Sequence, residues 1–307
     1  MLYNFLNTQK NSHLFALYGL GALQMVLYRY FIIGIPMDVI PLVETLLMCF
    51  LLLVNVSIVN LIVRKNQLSE GNLLVVFFWI VGGLCFPELY KDATVMIASS
   101  CMLFVVFQIM ELYHMADGRK AFFDIAVFIF IASLFFLPSL LALILLWIQI
   151  LIVPGKKFRN FLIPIVAFAI LFVILWAISL LFGWQNQLFS AFYYVPNFDI
   201  TLFLQYKYLP LLGMLLLNGM LASRRLRKTY KRYYTGFFIS LILVGLVGIV
   251  LHEAKNAVGW LYFSFPTALS GMMLIEGVKR NWLREVLLWS LIVALLSLFL
   301  VSRVYLL

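Results

Sequence analysis

The chain has 307 residues, 65% of them hydrophobic and 11% charged, with a formal net charge of +10 and a mean hydropathy of +1.08. No soluble domain of this size carries that much apolar side chain, so the composition describes a protein that crosses a membrane several times. The apolar runs are continuous rather than alternating, which excludes a membrane β-barrel. The positive charge is gathered in short connecting segments, which removes the nucleic-acid reading that a soluble protein of this charge would invite.

The chain opens with Lys10 ahead of an apolar run over 13–34 and has no small-x-small cleavage site, so an uncleaved first helix with a cytoplasmic N-terminus is expected. Near its outer end, in VLYRYF, Arg29 has two readings. It snorkels to the head groups with Tyr28 and Tyr30 as an interface belt, or it binds a lipid phosphate through its guanidinium fork. The following turn, GIPMDVIPLVETLL, is stiffened by Pro36 and Pro41 and carries Asp38 and Glu44. As a carboxylate pair these can hold a divalent cation on a pyrophosphate, or serve as a general base. Alternatively Asp38 is simply solvated and Glu44 pairs with Arg29.

A second span is expected at 40–63 and a third at 72–87, followed by the outer turn FPELYKDAT. That turn contains Lys91, a second candidate for lipid phosphate, among charges that otherwise read as surface polarity. After the span 93–111 come 35 residues between Lys120 and Lys156. One straight helix of that length would reach about 52 Å, well beyond a hydrocarbon core of about 30 Å. Basic clusters at both ends require an even number of crossings, so two short helices, 121–136 and 139–153, are expected to meet at Leu137-Pro138-Ser139.

Beyond a span at 161–183, the segment Trp184 to Thr201 has no Lys or Arg and six aromatics, among them Trp184, Tyr193 and Tyr194. It reads as an interfacial anchor or as a lid that stacks on a sugar ring. The span 202–222 brings Lys207, a further candidate for lipid phosphate. SRRLRKTYKRYY then concentrates six cations that set topology and attract anionic lipid. After the span 235–251, LHEAKNAVGW holds His252, a candidate acid or base. Its His-Glu pair lacks the second histidine of a helical zinc-protease motif. Spans 258–277 and 284–304 complete a count of about eleven, in a single integral membrane domain over 1–307 of all-α, helix-bundle class. With the N-terminus inside, 17 of the 22 Lys and Arg fall in cytoplasmic segments. Cys49, Cys85 and Cys101 read as small core residues. No metal site is expected from ligand spacing, although a divalent cation is compatible with the outer carboxylates. Gly245, Gly248 and Gly271 are candidate helix breaks of the transporter kind.

The order FPELYKDATVMIASSCML, then GRKAFFDIAVFIFIASLFFLPSLLALILLWIQILIV, then KKFRNFLIPIVAFAI resembles an uncharacterised family of multi-span inner-membrane proteins of Bacteroidota. In that family a Phe-Pro outer turn, a basic turn, a Phe-Asp-Ala-type helix, a short hairpin and an Arg-Asn-x-x-Ile-Pro entry follow one another. The resemblance implies lineage and a bacterial inner-membrane location. A weaker one is to membrane-embedded polyprenyl-phosphate-sugar glycosyltransferases and polysaccharide polymerases. There an acidic residue in the first outer loop, at the position of Asp38, acts on the lipid-linked donor, but that loop is usually long and here it is short.

The expected function is therefore work on lipid-linked glycans in cell-envelope assembly. Its catalytic form would use Asp38 and Glu44 on the acceptor or a metal, with Arg29 and Lys207 on lipid phosphate. The alternative is a non-catalytic membrane subunit that scaffolds an envelope complex, and a transporter or flippase ranks third. Expected partners are membrane lipids, a polyprenyl-linked glycan and other envelope proteins, with no nucleic acid.

Overall fold

The structure, a computed structural model, describes residues 2–8, 10–36, 38–69, 71–83, 86–114, 118–152, 158–185, 232–251 and 255–304. Among these, every regular element is helical. In chain order they are α1 (Leu2–Leu6), α2 (Asn11–Leu27) running into a π-helical turn at Tyr28–Ile33, α3 (Val39–Lys65), α4 (Leu74–Gly82) and α5 (Ala93–Leu112). There follow α6 (Arg119–Phe135), α7 (Ala142–Ile152) and α8 (Leu162–Phe182), then α9 (Arg232–Leu251), α10 (Lys255–Gly277) and α11 (Asn281–Val304). Short 3₁₀ turns occupy Pro87–Tyr90, Leu137–Leu141 and Phe158–Phe161.

Ten of the eleven expected spans coincide with helical segments, and the one at 202–222 lies outside the described residues. Among the described residues, five helices are long and apolar enough to cross a membrane: Asn11–Phe31, Val39–Lys65, Ala93–Leu112, Leu162–Phe182 and Ala257–Gly277. The apolar helices Leu137–Ile152 and Gly236–Leu251 are shorter. This is a membrane protein, and its apolar exterior follows from that. Most of α8 is exposed although almost every residue in it is hydrophobic, as are Phe50, Leu46 and Val43 of α3. α4 is buried on all sides from Leu74 to Val81, as a helix apolar all round must be when protein surrounds it.

Contacts between helix ends sort the bundle into two ends. At one, the Lys65 ammonium meets the Glu111 carboxylate at 2.7 Å, joining the last turns of α3 and α5. The Leu73 amide donates to the Leu6 carbonyl at 2.8 Å, and Asn72, just before α4, donates to Glu276 in the last turn of α10. Glu285 in α11 accepts from the amides of Leu2 and Tyr3 at 2.7 and 3.0 Å, which caps α1. Exposed Arg64, Lys65, Arg119, Lys120, Lys279 and Arg280 also lie here, and we call it the basic end. At the far end, the last turns of α2 meet the first turns of α3 and α5, and Phe86 packs on Trp260 near the start of α10, ring centroids 5.8 Å apart.

The long stretch after Lys120 folds back on itself. Phe136 is extended, with φ −149° and ψ 100°, and Pro138 sits in the first turn that follows, where its missing N–H is harmless. Tyr262 donates to the Pro138 carbonyl at 2.9 Å. At the other end of α7, Gln149 accepts from Tyr113, so the chain has returned to the level of the α5–α6 connection. Gln149 also donates to Ser240 at 3.0 Å, tying α7 to α9. Cross-helix bonds of this kind contribute about 0.6 kcal/mol each on average, and leaving the amide unpaired in hydrocarbon would cost more.

Gly245, Gly248 and Gly271 do not interrupt their helices, contrary to the transporter-like expectation: α9 and α10 run through them. They make room for neighbouring side chains instead. A Cβ on Gly245 would lie 2.6 Å from both Tyr262 and Phe263, and one on Gly271 would lie 2.8 Å from the Phe78 ring. Gly19 of α2 has nothing within 4 Å of such an atom. Gly245→Ala is therefore expected to cost about 1–3 kcal/mol through overpacking. Gly19→Ala should be neutral or stabilising by up to about 1 kcal/mol. Thermal unfolding of the two variants in the same detergent measures the difference.

Candidate functional site

The far end gathers the described residues singled out for chemistry. Arg29 stands in the π-helical turn Tyr28–Ile33, a geometry that inserts a residue and is frequent at functional positions. Gly34 ends the turn with φ +74°, a left-handed conformation that suits glycine, and the Ile35 amide closes it on the Arg29 carbonyl at 3.2 Å. The guanidinium is thereby aimed inward. Arg29 is 0% exposed, so it neither snorkels nor faces head groups. Its Nη2 donates to Glu44 Oε2 at 2.7 Å and its Nη1 to the Met48 sulfur, while Nε has no hydrogen-bond partner.

Glu44 lies one and a half turns into α3. Its Oε1 accepts from the Ala93 amide at 3.2 Å, so one carboxylate joins the end of α2, the start of α3 and the first turn of α5. Acceptance from a helix N-terminal amide is favourable for an anion, since unpaired N–H groups and the helix dipole both point at it. The Glu44 side chain is 37% exposed. One turn further along α3 from Pro41, Thr45 donates to the Pro41 carbonyl at 2.7 Å and lies 3.2 Å from the Tyr30 hydroxyl. Beside this group Gln24 donates to the Tyr90 hydroxyl at 2.9 Å, and the rings of Tyr28 and Tyr90 lie 5.7 Å apart.

The structure thus brings Arg29 and Glu44 together and leaves Asp38 apart from that bond. Asp38 precedes α3 as its N-cap, exposed and without a side-chain capping bond. Lys91 is exposed in the turn before α5. Trp184 is half exposed and stacks on Phe182, centroids 4.9 Å apart. His252, Lys207, Tyr193 and Tyr194 lie outside the described residues, and so does most of the aromatic segment they belong to. No three His, Cys, Asp or Glu side chains among the described residues come together as a metal-holding group.

Sequence reasoning missed Met48 and Thr45, which no pattern distinguishes from the apolar run around them. It also passed over Gln149 and Asn55, whose signal was legible as a lone amide inside an apolar run. Both are buried, and Asn55 reaches the Met96 sulfur at 3.6 Å.

Fold and site define an all-helical, multi-pass membrane protein in which Arg29 and Glu44, at the far end, are bound to each other within the packing. The chain belongs to the family of unknown function DUF6427, whose sequence model matches residues 1–306. No curated protein and no solved structure matches it.

Breaking a buried ion pair by neutralising one partner strands the other charge. Because Glu44 is partly exposed, Glu44→Gln is expected to cost about 1–3 kcal/mol, whereas Arg29→Met combined with Glu44→Leu should cost less than Arg29→Met or Glu44→Leu alone. Asp38→Asn should stay within about 0.5 kcal/mol of the parent. Denaturation of these variants and of the two component single changes in one detergent tests this order.

Proposed function

We propose that the protein is a subunit of the bacterial inner membrane, crossing it eleven times with its N-terminus in the cytoplasm, and that it serves envelope assembly without catalysing a reaction. The carrying observation is the mutual bond of Arg29 and Glu44. A catalytic base or a phosphate clamp must be available to substrate, and these two groups are bonded to each other, with Glu44 also holding the Ala93 amide. The orientation rests on the exposed cations gathered at the basic end, where α1 also docks, together with the preference of Lys and Arg for the cytoplasmic side. The inner membrane and the envelope context rest on the family resemblance.

A second reading keeps a specific observation in its favour: Asp38 and Lys91 are exposed at the far end, where Glu44 retains an open flank. In that reading the protein is an enzyme of lipid-linked glycans. Asp38, with or without a divalent cation, would act on the sugar acceptor, and Lys91 would hold the phosphate.

Deleting the gene and complementing it with parent, Asp38→Asn and Lys91→Gln separates the two. Full rescue by both variants, read as polyprenyl-linked intermediates and surface polysaccharide by mass spectrometry, is expected for the non-catalytic subunit. Loss of rescue by a stably inserted Asp38→Asn protein would overturn it in favour of the enzyme. For topology, a fluorescent reporter that matures only in the cytoplasm should stay dark after Leu307 and be bright when inserted after Arg119.

A further inference from the structure

The basic end carries a feature that neither reading uses. α5 lies between α3 and α6 and packs against both. Its outward stripe, Cys101, Phe104, Gln108 and Glu111, is only partly exposed, and we read it as the floor of a shallow groove between the two flanking helices. Phe104 stacks on Phe128 of α6, centroids 5.2 Å apart and planes 11° from parallel, giving the groove a flat aromatic wall that is also partly exposed. At the mouth stand two adjacent cations from each flank, Arg64 and Lys65 from the end of α3 and Arg119 and Lys120 from the start of α6, all exposed. Lys65 is held there by Glu111 at 2.7 Å and lies 4.9 Å over the Phe107 ring, which keeps its ammonium at the head of the groove.

We propose that this groove is a binding site for an anionic phospholipid, with the head-group phosphate between Arg64 of α3 and Lys120 of α6 and an acyl chain along Phe104 and Phe128. Charge complementarity selects the occupant. Among described residues the groove mouth has the exposed Arg64, Arg119 and Lys120 beside the Lys65–Glu111 pair, with Asp124 one turn below Lys120 on the same stripe of α6. Cations from two helices can enclose one phosphate from both sides, and a guanidinium fork suits its geometry. The depth of the site matches a lipid better than a soluble anion, because the aromatic wall continues along α5 and α6 into the apolar belt.

Native mass spectrometry of the full-length protein, titrated with phosphatidylglycerol and with phosphatidylcholine of the same chains, tests the proposal. Phosphatidylglycerol is expected to bind at least tenfold more tightly. Arg64→Gln with Lys120→Gln should abolish most of that preference, at about fivefold for each charge removed, and Asp124→Asn should strengthen it. Lys279→Gln with Arg280→Gln, at the same end but away from the groove, should leave it unchanged. Equal loss in this control pair, or equal affinity for the two lipids, would overturn the site. To locate the chain, phosphatidylglycerol with brominated tails should quench a Phe104→Trp reporter more than the brominated choline lipid does; equal quenching would place the lipid elsewhere.

Discussion

Inside hydrocarbon a polar group keeps its demand for hydrogen bonds and loses water as the supplier, and this bundle is organised around meeting that demand from its own chain. Glu44 is the clearest case, because a single carboxylate accepts from a buried guanidinium and from a helix-starting amide while fixing the relative height of three helices. Gln149 does the same for α5, α7 and α9, and Asn72 for α4 and α10 while also receiving the Leu74 amide at 3.2 Å. These bonds sit near helix ends, where they set vertical register. The apolar packing between them, dense where rings cover Gly245 and Gly271, then has only one arrangement to fill.

The bonds have a functional side. A charge absorbed into packing is removed from the chemistry available at the surface, so among charges whose side chains are described the far end offers solvent Asp38, Lys91, Asp92 and the open flank of Glu44. The basic end differs in kind. Its cations are exposed and come from several helix termini; of the partly exposed acids described there, Glu111 and Glu285 are engaged by Lys65 and by the amides of α1, and Asp124 lies one turn below Lys120. One end of the molecule is therefore built for internal cohesion and the other for attraction to anions.

What was legible in the sequence follows the physics of each signal. Helix positions were readable because a run of apolar residues bounded by charges has few other solutions in a membrane, and the bend at Pro138 was readable because 35 residues are too many for one crossing. The partner of Glu44 remained one of two readings, since sequence spacing says nothing about which helices touch. The π turn at Arg29 left no compositional trace, and the glycines of α9 and α10 were misread because a residue without Cβ serves equally for breaking a helix and for letting a ring approach one. Membership in a family of unknown function adds no activity, so the site's chemistry rests on geometry alone.

The contact between Tyr262 and the Pro138 carbonyl spans 124 positions in the chain, and Ser240 stands 91 positions from the Gln149 that needs it. A nascent chain emerges in order, so when α6 and α7 first enter the bilayer neither partner has been made. Until α9 and α10 are made, only Tyr113 meets the Gln149 amide, and the hairpin lacks the donor to its bend carbonyl and the acceptor for the Gln149 N–H. Its two halves are too short to be held firmly by hydrophobic length alone. Synthesis thus imposes a timetable on the fold, in which an early segment waits on a late one, and a ribosome that stops before Tyr262 leaves the middle of the protein unsecured.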